Sequence, residues 1–261
     1  MLKCKYNADH PTPAQLIGYL AFLCGSLRHS TVINHSSALF NFLPDTVVLS
    51  IKDSKQFQKF MQGLTKSQPR SAAAFIWSVE PVLTFLSKDV FPQNHLYYMG
   101  RHIALLMLLL GGRRVHDLSL LSRKPELLMF SHNEVTLQPI FGSKTDKSHS
   151  IQSPMTFVNG VDYLLSVPQL LKHYLKITTP VCGSCTALFV SPQQPTSACD
   201  AQKLRSWVKK LLEIAGVGGT AGATRAAAAT SGFISGLTVQ QLMDRGNWKS
   251  ARVMFNHYMR F

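Results

Sequence analysis

The chain has 261 residues, 46% of them apolar, which excludes a disordered chain and suffices for one large domain or two smaller ones. The chain has 27 Lys and Arg residues and 13 Asp and Glu residues, which gives a formal net charge of +14. We therefore expect a polyanionic partner, and nucleic acid is favoured over a ribosomal or membrane surface. The N-terminus lacks an apolar signal-peptide core, and the longest apolar run, residues 103–110, cannot span a bilayer, so we expect an intracellular protein without a membrane partner.

Helical patterns occupy the first third of the sequence. Thr12 followed by Pro13 is typical of a helix start, and apolar residues then recur at helical spacing. Further helices are predicted at residues 31–43, 54–64 and 71–86. Pro81 should kink or split the last of them.

A linker is predicted at residues 89–94, where a proline lies among polar residues. We therefore predict a helical domain at residues 1–92 and a second domain at residues 93–261. A long apolar helix at residues 95–110 should begin the second domain.

The second domain should combine helices with a small sheet, which makes the fold class mainly α with a small antiparallel β-sheet (α+β). A short helix should start at His116. Period-2 patterns predict strands at residues 127–130, 134–138 and 150–157. Pro139 should end the second strand or confine it to an edge of the sheet, and the polar residues 142–148 should form a hairpin turn. The remaining helices are predicted at residues 168–177, 200–215, 221–233, 239–244 and 251–261.

Four residues that are far apart in the sequence could together hold and attack a phosphodiester. Arg114 lies in the segment GRRVHDL, Arg225 follows Ala-Thr, and Tyr258 follows Trp248 by ten positions. A guanidinium can grip two phosphate oxygens at once and stays charged, and a tyrosine can serve as a nucleophile. DNA strand exchange is therefore the leading functional hypothesis.

These motifs, in this order, resemble those of the tyrosine recombinases of the phage-integrase superfamily, and in particular the eukaryotic branch carried by Crypton and DIRS-like mobile elements. The resemblance covers most of the chain and implies a SAM-like helical core-binding domain that clamps duplex DNA together with a catalytic domain. It implies a site-specific recombinase or integrase that cleaves and rejoins double-stranded DNA through a 3′-phosphotyrosyl intermediate, without metal, ATP or other cofactor. We also expect a nuclear location and a dimer or tetramer on DNA.

The resemblance assigns roles to the first arginine and to the hairpin turn. Arg114 takes the place of the first family arginine, and Asp117, one helical turn later, would hold its guanidinium; the alternative is a surface ion pair of little energetic value. Lys144 resembles the hairpin lysine that protonates the departing 5′ oxygen. Lys147 is the alternate, because hairpin length varies, and both lysines could instead be solvated turn residues.

The C-terminal residues complete the implied site. Arg225 matches the second arginine of the His-x-x-Arg box, in which Gly222 replaces the histidine and so removes a hydrogen-bonding and proton-accepting group. Trp248 takes a position whose indole N–H contacts the phosphate, although a buried tryptophan is also a common core residue. Tyr258 would be the nucleophile, activated by nearby positive charge that includes His257; the alternative is a structural tyrosine.

Other functions stay open at this point. Gly222 and the three residues after Tyr258 favour a domesticated DNA-binding protein that no longer cuts, since the usual exchange of a C-terminal helix is not expected. A type IB topoisomerase-like enzyme would use similar chemistry without pairing two duplexes, and a helical scaffold without nucleic acid is the remaining class.

Cysteine usage does not indicate a metal site. Cys182 and Cys185 resemble half of a zinc site, but no second pair follows at ligand spacing. Cys199 and His173 would have to serve as the other two ligands, at a spacing that is not typical of zinc sites. Five cysteines at irregular spacing agree with a reducing compartment.

Overall fold

The computed structural model divides the chain into two compact units, residues 1–75 and 76–261. The residues that it describes are 10–67, 77–89, 91–143, 146, 151–193 and 196–259. The domain boundary therefore falls earlier than the predicted residue 92. The reason is that the helix at Val79–Lys88 buries Val82 and Leu86 in the core of the second unit, so residues 89–94 lie inside that unit.

The described part of the first unit contains four helices. They are α1 (Pro13–Cys24), α2 (His29–Phe40), α3 (Asp45–Asp53) and α4 (Lys55–Lys66). The predicted start of α1 is confirmed, because Thr12 and Gln15 form a reciprocal capping box in front of Pro13. Ser54 caps α4 through a single bond, in which its side chain accepts from the backbone N–H of Phe57. The apolar faces meet in one core, which contains Leu16, Leu20, Val32, Ile51, Phe57 and Leu64.

Helix α5 (Val79–Lys88) differs from the predicted element at residues 71–86. Residues 71–76 lie outside the described part of the chain, and the helix begins after the N-cap Ser78. Pro81 is the third residue of the helix, within the first turn, where a backbone N–H has no helical partner in any case. The proline therefore neither kinks nor splits α5.

Helix α6 (Leu96–Gly111) is the centre of the second unit and is buried along most of its length. It ends at Gly112, whose φ of 60° is the left-handed conformation that glycine adopts without strain. The next turn and the short helix α7 (Val115–Ser119) therefore start in a new direction.

The predicted antiparallel sheet is confirmed. Strands β1 (Leu128–Phe130), β2 (Glu134–Leu137) and β3 (Met155–Val158) pair in sequence order. Leu137 pairs with both Leu128 and Met155, and the buried side chains of the sheet join the core around α6. Strand β3 begins at Met155 rather than at residue 150, and residues 144, 145 and 147–150 of the turn lie outside the described part.

The rest of the second unit is helical, as predicted. After a 3-10 turn at Tyr163–Leu165 come α8 (Val167–Thr178), α9 (Ala201–Ile214), α10 (Ala223–Ile234), α11 (Val239–Gly246) and α12 (Ala251–His257). Helices α8, α9 and α10 are the ones that pack on α6. The fold is thus mainly α with a small antiparallel sheet. Within the described residues, no helix combines the length and the apolarity that a membrane crossing requires.

Candidate active site

Arg114 lies at the junction between the left-handed turn of Gly112 and helix α7. It is the N-cap residue of α7, and its backbone N–H donates to Asp117 Oδ2 at 3.1 Å. The other carboxylate oxygen of Asp117 accepts from Ser143 Oγ at 3.2 Å. Among the described residues no ion pair joins the Arg114 and Asp117 side chains, so the carboxylate holds the backbone of Arg114 and not its guanidinium.

The carboxylate of Asp117 is fully buried and occupied by two donors. This position corrects the expectation that the Asp117 carboxylate would hold the Arg114 guanidinium, which the spacing of three residues suggested. A residue three positions after an N-cap is instead well placed to accept from the N-cap backbone N–H. The hydrogen bond from the Arg114 backbone to Asp117 fixes the position of the Arg114 backbone. The Arg114 guanidinium remains free to bind another acceptor.

Arg225 is buried in the first turn of α10 and reaches back to the end of α6. Its Nη1 donates to the carbonyl oxygen of Gly112 at 2.8 Å. The guanidinium carbon lies 4.0 Å from the ring centroid of Trp248 and 5.1 Å from that of Tyr258. The sequence-predicted arginine, tryptophan and tyrosine therefore meet, although 33 positions separate Arg225 from Tyr258.

Trp248 and Tyr258 reach this point through the turn between α11 and α12. Asn247 adopts a left-handed conformation with φ of 52°, which ends α11 and directs Trp248 inward. Ser250 caps α12, as predicted, and the backbone N–H of Tyr258 donates to the Met254 carbonyl at 2.9 Å. The two rings are 5.5 Å apart at 62°, an edge-to-face contact.

The arginines and the tyrosine line one pocket of about 200 Å³. Its lining residues are Arg113, Arg114, Val115, His116, Arg205, Ala221, Gly222, Arg225 and Tyr258. Among the described residues, no acceptor is found for four buried N–H donors at the pocket and at the adjoining Trp248: Nη1 of Arg114, Nε and Nη2 of Arg225, and Nε1 of Trp248. Unpartnered buried donors on cationic groups are costly, so this arrangement is suited to an anion that supplies the acceptors.

The electrostatics of the pocket agree with an anion site. Burial, and then the charge of Arg114, lower the pKa of Arg225 to about 10. Arg225 is still charged at neutral pH, but its positive charge is disfavoured by its surroundings. An anion held between Arg114 and Arg225 would remove this penalty, because an opposite charge nearby favours the charged form.

Gly222 lines the pocket at the N-cap of α10, with ordinary helical backbone angles. An added Cβ would come no closer than 3.6 Å to any heavy atom, the hydroxyl oxygen of Thr220. The position therefore has room for a side chain, and its glycine is not required by the backbone. His257 is exposed and does not line the pocket, and Lys144 and Lys147 lie outside the described residues.

Solved structures of recombinases and integrases have a similar arrangement of helices and sheet. A XerH site-specific recombinase bound to its palindromic difH substrate, in a post-cleavage complex, aligns with a TM-score of 0.64 at 16% identity and covers 94% of this chain and 68% of that chain. The Tn1549 transposon integrase in complex with transposon right end DNA gives 0.64 at 15% identity, with 96% and 81% covered. The chain has the tyrosine-recombinase fold.

A lambda integrase dimer bound to a COC' core site has the same fold, with a TM-score of 0.53, 10% identity, and coverage of 96% of this chain and 80% of that chain. No protein-family model matches the sequence, and no curated protein matches it. At these identities the likeness concerns the fold.

Sequence reasoning missed three polar residues of the pocket. Arg205 comes from the exposed side of α9, a helix whose basic residues carry no motif. The Nε2 atom of His116 lies 3.1 Å from the carbonyl oxygen of Gly142, so the histidine contacts the start of the hairpin turn. Arg113 is buried and donates to the carbonyl oxygens of Arg245, Ser153 and Pro154. Groups of three or more potential metal ligands do not occur among the described residues.

Proposed function

We propose that this protein cleaves and rejoins DNA strands as a tyrosine recombinase, with Tyr258 as the nucleophile. The observation that carries the proposal is the contact of the Arg225 guanidinium with the Trp248 and Tyr258 rings, at 4.0 and 5.1 Å, in a pocket that also holds Arg114. A buried guanidinium with unpartnered donors next to a phenol is suited to bind a phosphate and present it to that phenol.

In the proposed reaction a scissile phosphate lies between Arg114 and Arg225, whose donors stabilise the charge that builds up on its oxygens. The Tyr258 oxygen attacks phosphorus and gives up its proton to solvent. The bond from phosphorus to the 5′ oxygen breaks, and that oxygen takes a proton from a turn lysine, Lys144 or Lys147. The products are a 3′-phosphotyrosyl linkage and a free 5′ hydroxyl, and attack by a 5′ hydroxyl on the linkage reverses the step.

Double-stranded DNA is the proposed substrate. The net charge of +14 favours binding to a phosphate backbone, and the similar XerH, Tn1549 and lambda proteins are in complex with DNA. The sequence resemblance supports an origin in the eukaryotic Crypton and DIRS-like branch, a nuclear location, and action as a dimer or tetramer.

Gly222 favours a second candidate function, that of a DNA-binding protein that no longer cuts. It lines the pocket three residues before Arg225, where the family box has a histidine, and leaves open space in place of an imidazole. Without that group the phenol has no proton acceptor at this position. Binding would then survive through the many basic side chains of the chain, while cleavage would be slow or lost.

The two candidates differ in whether a covalent adduct forms. A duplex with a randomised 30-base-pair core, nicked so that the cleaved fragment diffuses away, should accumulate a protein–DNA adduct on denaturing gels. Tyr258→Phe should abolish the adduct. Arg114→Ala and Arg225→Ala should prevent cleavage and keep most of the affinity, because the chain has many other basic side chains that would contact the DNA backbone.

Each result of this experiment has a stated meaning. Tight binding without any adduct, from protein that is folded, would support the non-cutting candidate and contradict the recombinase. Loss of binding in Arg114→Ala or Arg225→Ala with unchanged folding would contradict the roles given to these arginines. Relaxation of supercoiled plasmid by monomeric protein would indicate a topoisomerase-like reaction instead.

A further inference from the structure

Arg205 lines the same pocket as Tyr258 and comes from helix α9. Its sequence neighbours Leu204 and Trp207 are buried, so the helix is anchored where Arg205 leaves it. Helix α9 packs against α6 and also against α7, which begins directly after Arg114. The backbone of Arg205 is therefore held in place on the side of the pocket where α7 begins.

The guanidinium of Arg205 has no acidic partner within the described residues. Neither of the two ion pairs found there includes it. One helical turn away on either side lie Ala201 and Lys209, whose side chains carry no acceptor. Arg205 is exposed, so water solvates its guanidinium in the free protein. A guanidinium is weakly hydrated for a cation, so this group is available to an anion that enters the pocket.

The wall of the pocket carries positive charge that no carboxylate of the wall opposes. Four arginines and one histidine line it, and none of the described lining residues is Asp or Glu. Arg113 donates from all three guanidinium nitrogens to protein acceptors, so Arg114, Arg205 and Arg225 are left for a ligand. Arg114 is half-buried and Arg225 is buried, whereas Arg205 is exposed. Arg205 therefore forms the part of the wall that is open to solvent.

The α10 side of the pocket offers no side-chain donor at Gly222. The one heavy atom within 4 Å of a Cβ added there is the hydroxyl oxygen of Thr220, so no arginine fills this space in the free protein. A phosphodiester has two non-bridging oxygens, each of which can accept more than one hydrogen bond. A phosphate held on the inner wall by Arg114 and Arg225 would thus present unused lone pairs toward the open side.

We propose that Arg205 is a further catalytic residue of the proposed reaction: its guanidinium closes over the scissile phosphate from the open side of the pocket and donates to a non-bridging oxygen. This inference rests on the proposed function. The non-bridging oxygens gather negative charge as Tyr258 attacks, so a third cation stabilises the transition state more than the bound substrate. The contact should therefore affect the rate of cleavage more than the affinity for DNA.

Arg205→Ala should separate rate from affinity. Single-turnover adduct formation on the nicked duplex, measured over a range of protein concentrations, gives a rate constant at saturation and a half-saturating concentration. The rate constant should fall at least about tenfold, because loss of one donor to a developing oxyanion costs about 10²–10³ and an exposed, screened group gives less. The half-saturating concentration should change by less than about threefold, because other basic side chains would bind the DNA backbone.

Lys210→Ala is the matched control. Lys210 is exposed on the same helix and does not line the pocket, so its removal takes away the same charge without touching the site. The rate constant of this variant should equal that of wild type. Arg205→Lys keeps the charge and loses the planar fork, so its rate constant should lie between those of wild type and Arg205→Ala. All three side-chain changes are at exposed positions, and melting temperatures close to that of wild type should confirm that the variants fold.

Inorganic phosphate provides a measurement that does not require cleavage. An anion bound in the pocket raises the melting temperature, and the dependence of this rise on phosphate concentration gives a Kd. The Kd for phosphate should be at least about threefold weaker in Arg205→Ala than in Lys210→Ala, because a charge-assisted hydrogen bond is lost.

A rate constant for Arg205→Ala within about threefold of that for Lys210→Ala would overturn the inference, and so would an equal fall in both variants. If the wild-type protein forms no adduct, the proposed reaction itself fails. The phosphate titration then decides whether Arg205 belongs to the anion site, and equal Kd values for the two variants would refute that.

Discussion

Restoring a histidine at Gly222 should accelerate cleavage. The backbone there is helical, with φ of −71° and ψ of −26°, and the nearest atom to an added Cβ is 3.6 Å away, so Gly222→His should cause no backbone strain. Positions 222 and 225 lie one turn apart, which places the new imidazole on the same face of the helix as Arg225. General base catalysis contributes about 10²–10⁴ in rate, and an imidazole without supporting partners should give the lower end, at least about tenfold.

The pH dependence of this gain follows from its cause. An unperturbed imidazole has a pKa of about 6.5, and the neighbouring arginines favour its neutral form, so the base is present at neutral pH. The gain should therefore be full at about pH 7.5 and disappear as the pH falls below about 6. Adduct formation in single-turnover reactions with the nicked duplex measures it.

Gly222→Ala is the matched control, since it fills the Cβ position without adding a base. Two results would contradict the prediction: Gly222→His cleaves no faster than Gly222→Ala, or its gain in rate does not depend on pH. Either result would show that a proton acceptor at position 222 does not speed cleavage. The second candidate function would lose its main support at the same time, because the absence of cutting could no longer be attributed to this residue.

Two further predictions concern the arginines and Trp248. Inorganic phosphate should raise the melting temperature of the wild-type protein, because an anion opposes the effects that lower the pKa of Arg225 to about 10. The rise in melting temperature should persist from about pH 7 to about pH 9, where Arg225 is charged. It should be absent in Arg225→Ala. An equal rise in Arg225→Ala would contradict the anion site. Gly246→Ala should lower the free energy of unfolding by about 1–3 kcal/mol and slow adduct formation, because the new Cβ would overlap the Trp248 ring. Gly63→Ala, at an open helical position, should be neutral or stabilising by up to about 1 kcal/mol, and similar denaturation midpoints for the two variants would refute the packing argument.

Elements that are specified by local rules could be predicted from the sequence. Thr12 and Ser250 are N-caps in front of periodic apolar residues, and both helices begin where expected. Helix α3 was missed, because its N-cap is Pro44, which offers no capping side chain, and the predicted second helix was extended toward it. Pro81 was misjudged for a related reason, since its effect depends on where the helix starts.

The candidate site was predictable in its residue types but not in its contacts. The resemblance to tyrosine recombinases implied that Arg225, Trp248 and Tyr258 share a site, and the structure brings these side chains together. No rule of sequence distinguishes Arg113 from Arg114, because the left-handed turn at Gly112 decides which of two adjacent side chains points into the protein. The partner of Asp117 is the backbone N–H of Arg114 and not the guanidinium that the sequence suggested. A spacing of three residues does not tell whether the side chain or the backbone is the partner.

The balance of charge in the pocket region links its structure to its proposed ligand. Three buried or half-buried guanidinium groups, those of Arg113, Arg114 and Arg225, act on one another, and Asp117 is the carboxylate that opposes them. Its oxygens already accept from a backbone N–H and a hydroxyl, so the excess positive charge is held in place by carbonyl groups such as those of Gly112 and Arg245. Like charges gathered in this way destabilise a protein that has no ligand. A phosphate diester between Arg114 and Arg225 would offset this repulsion. The clustered positive charge that destabilises the free protein should therefore favour the binding of a DNA phosphate at this site.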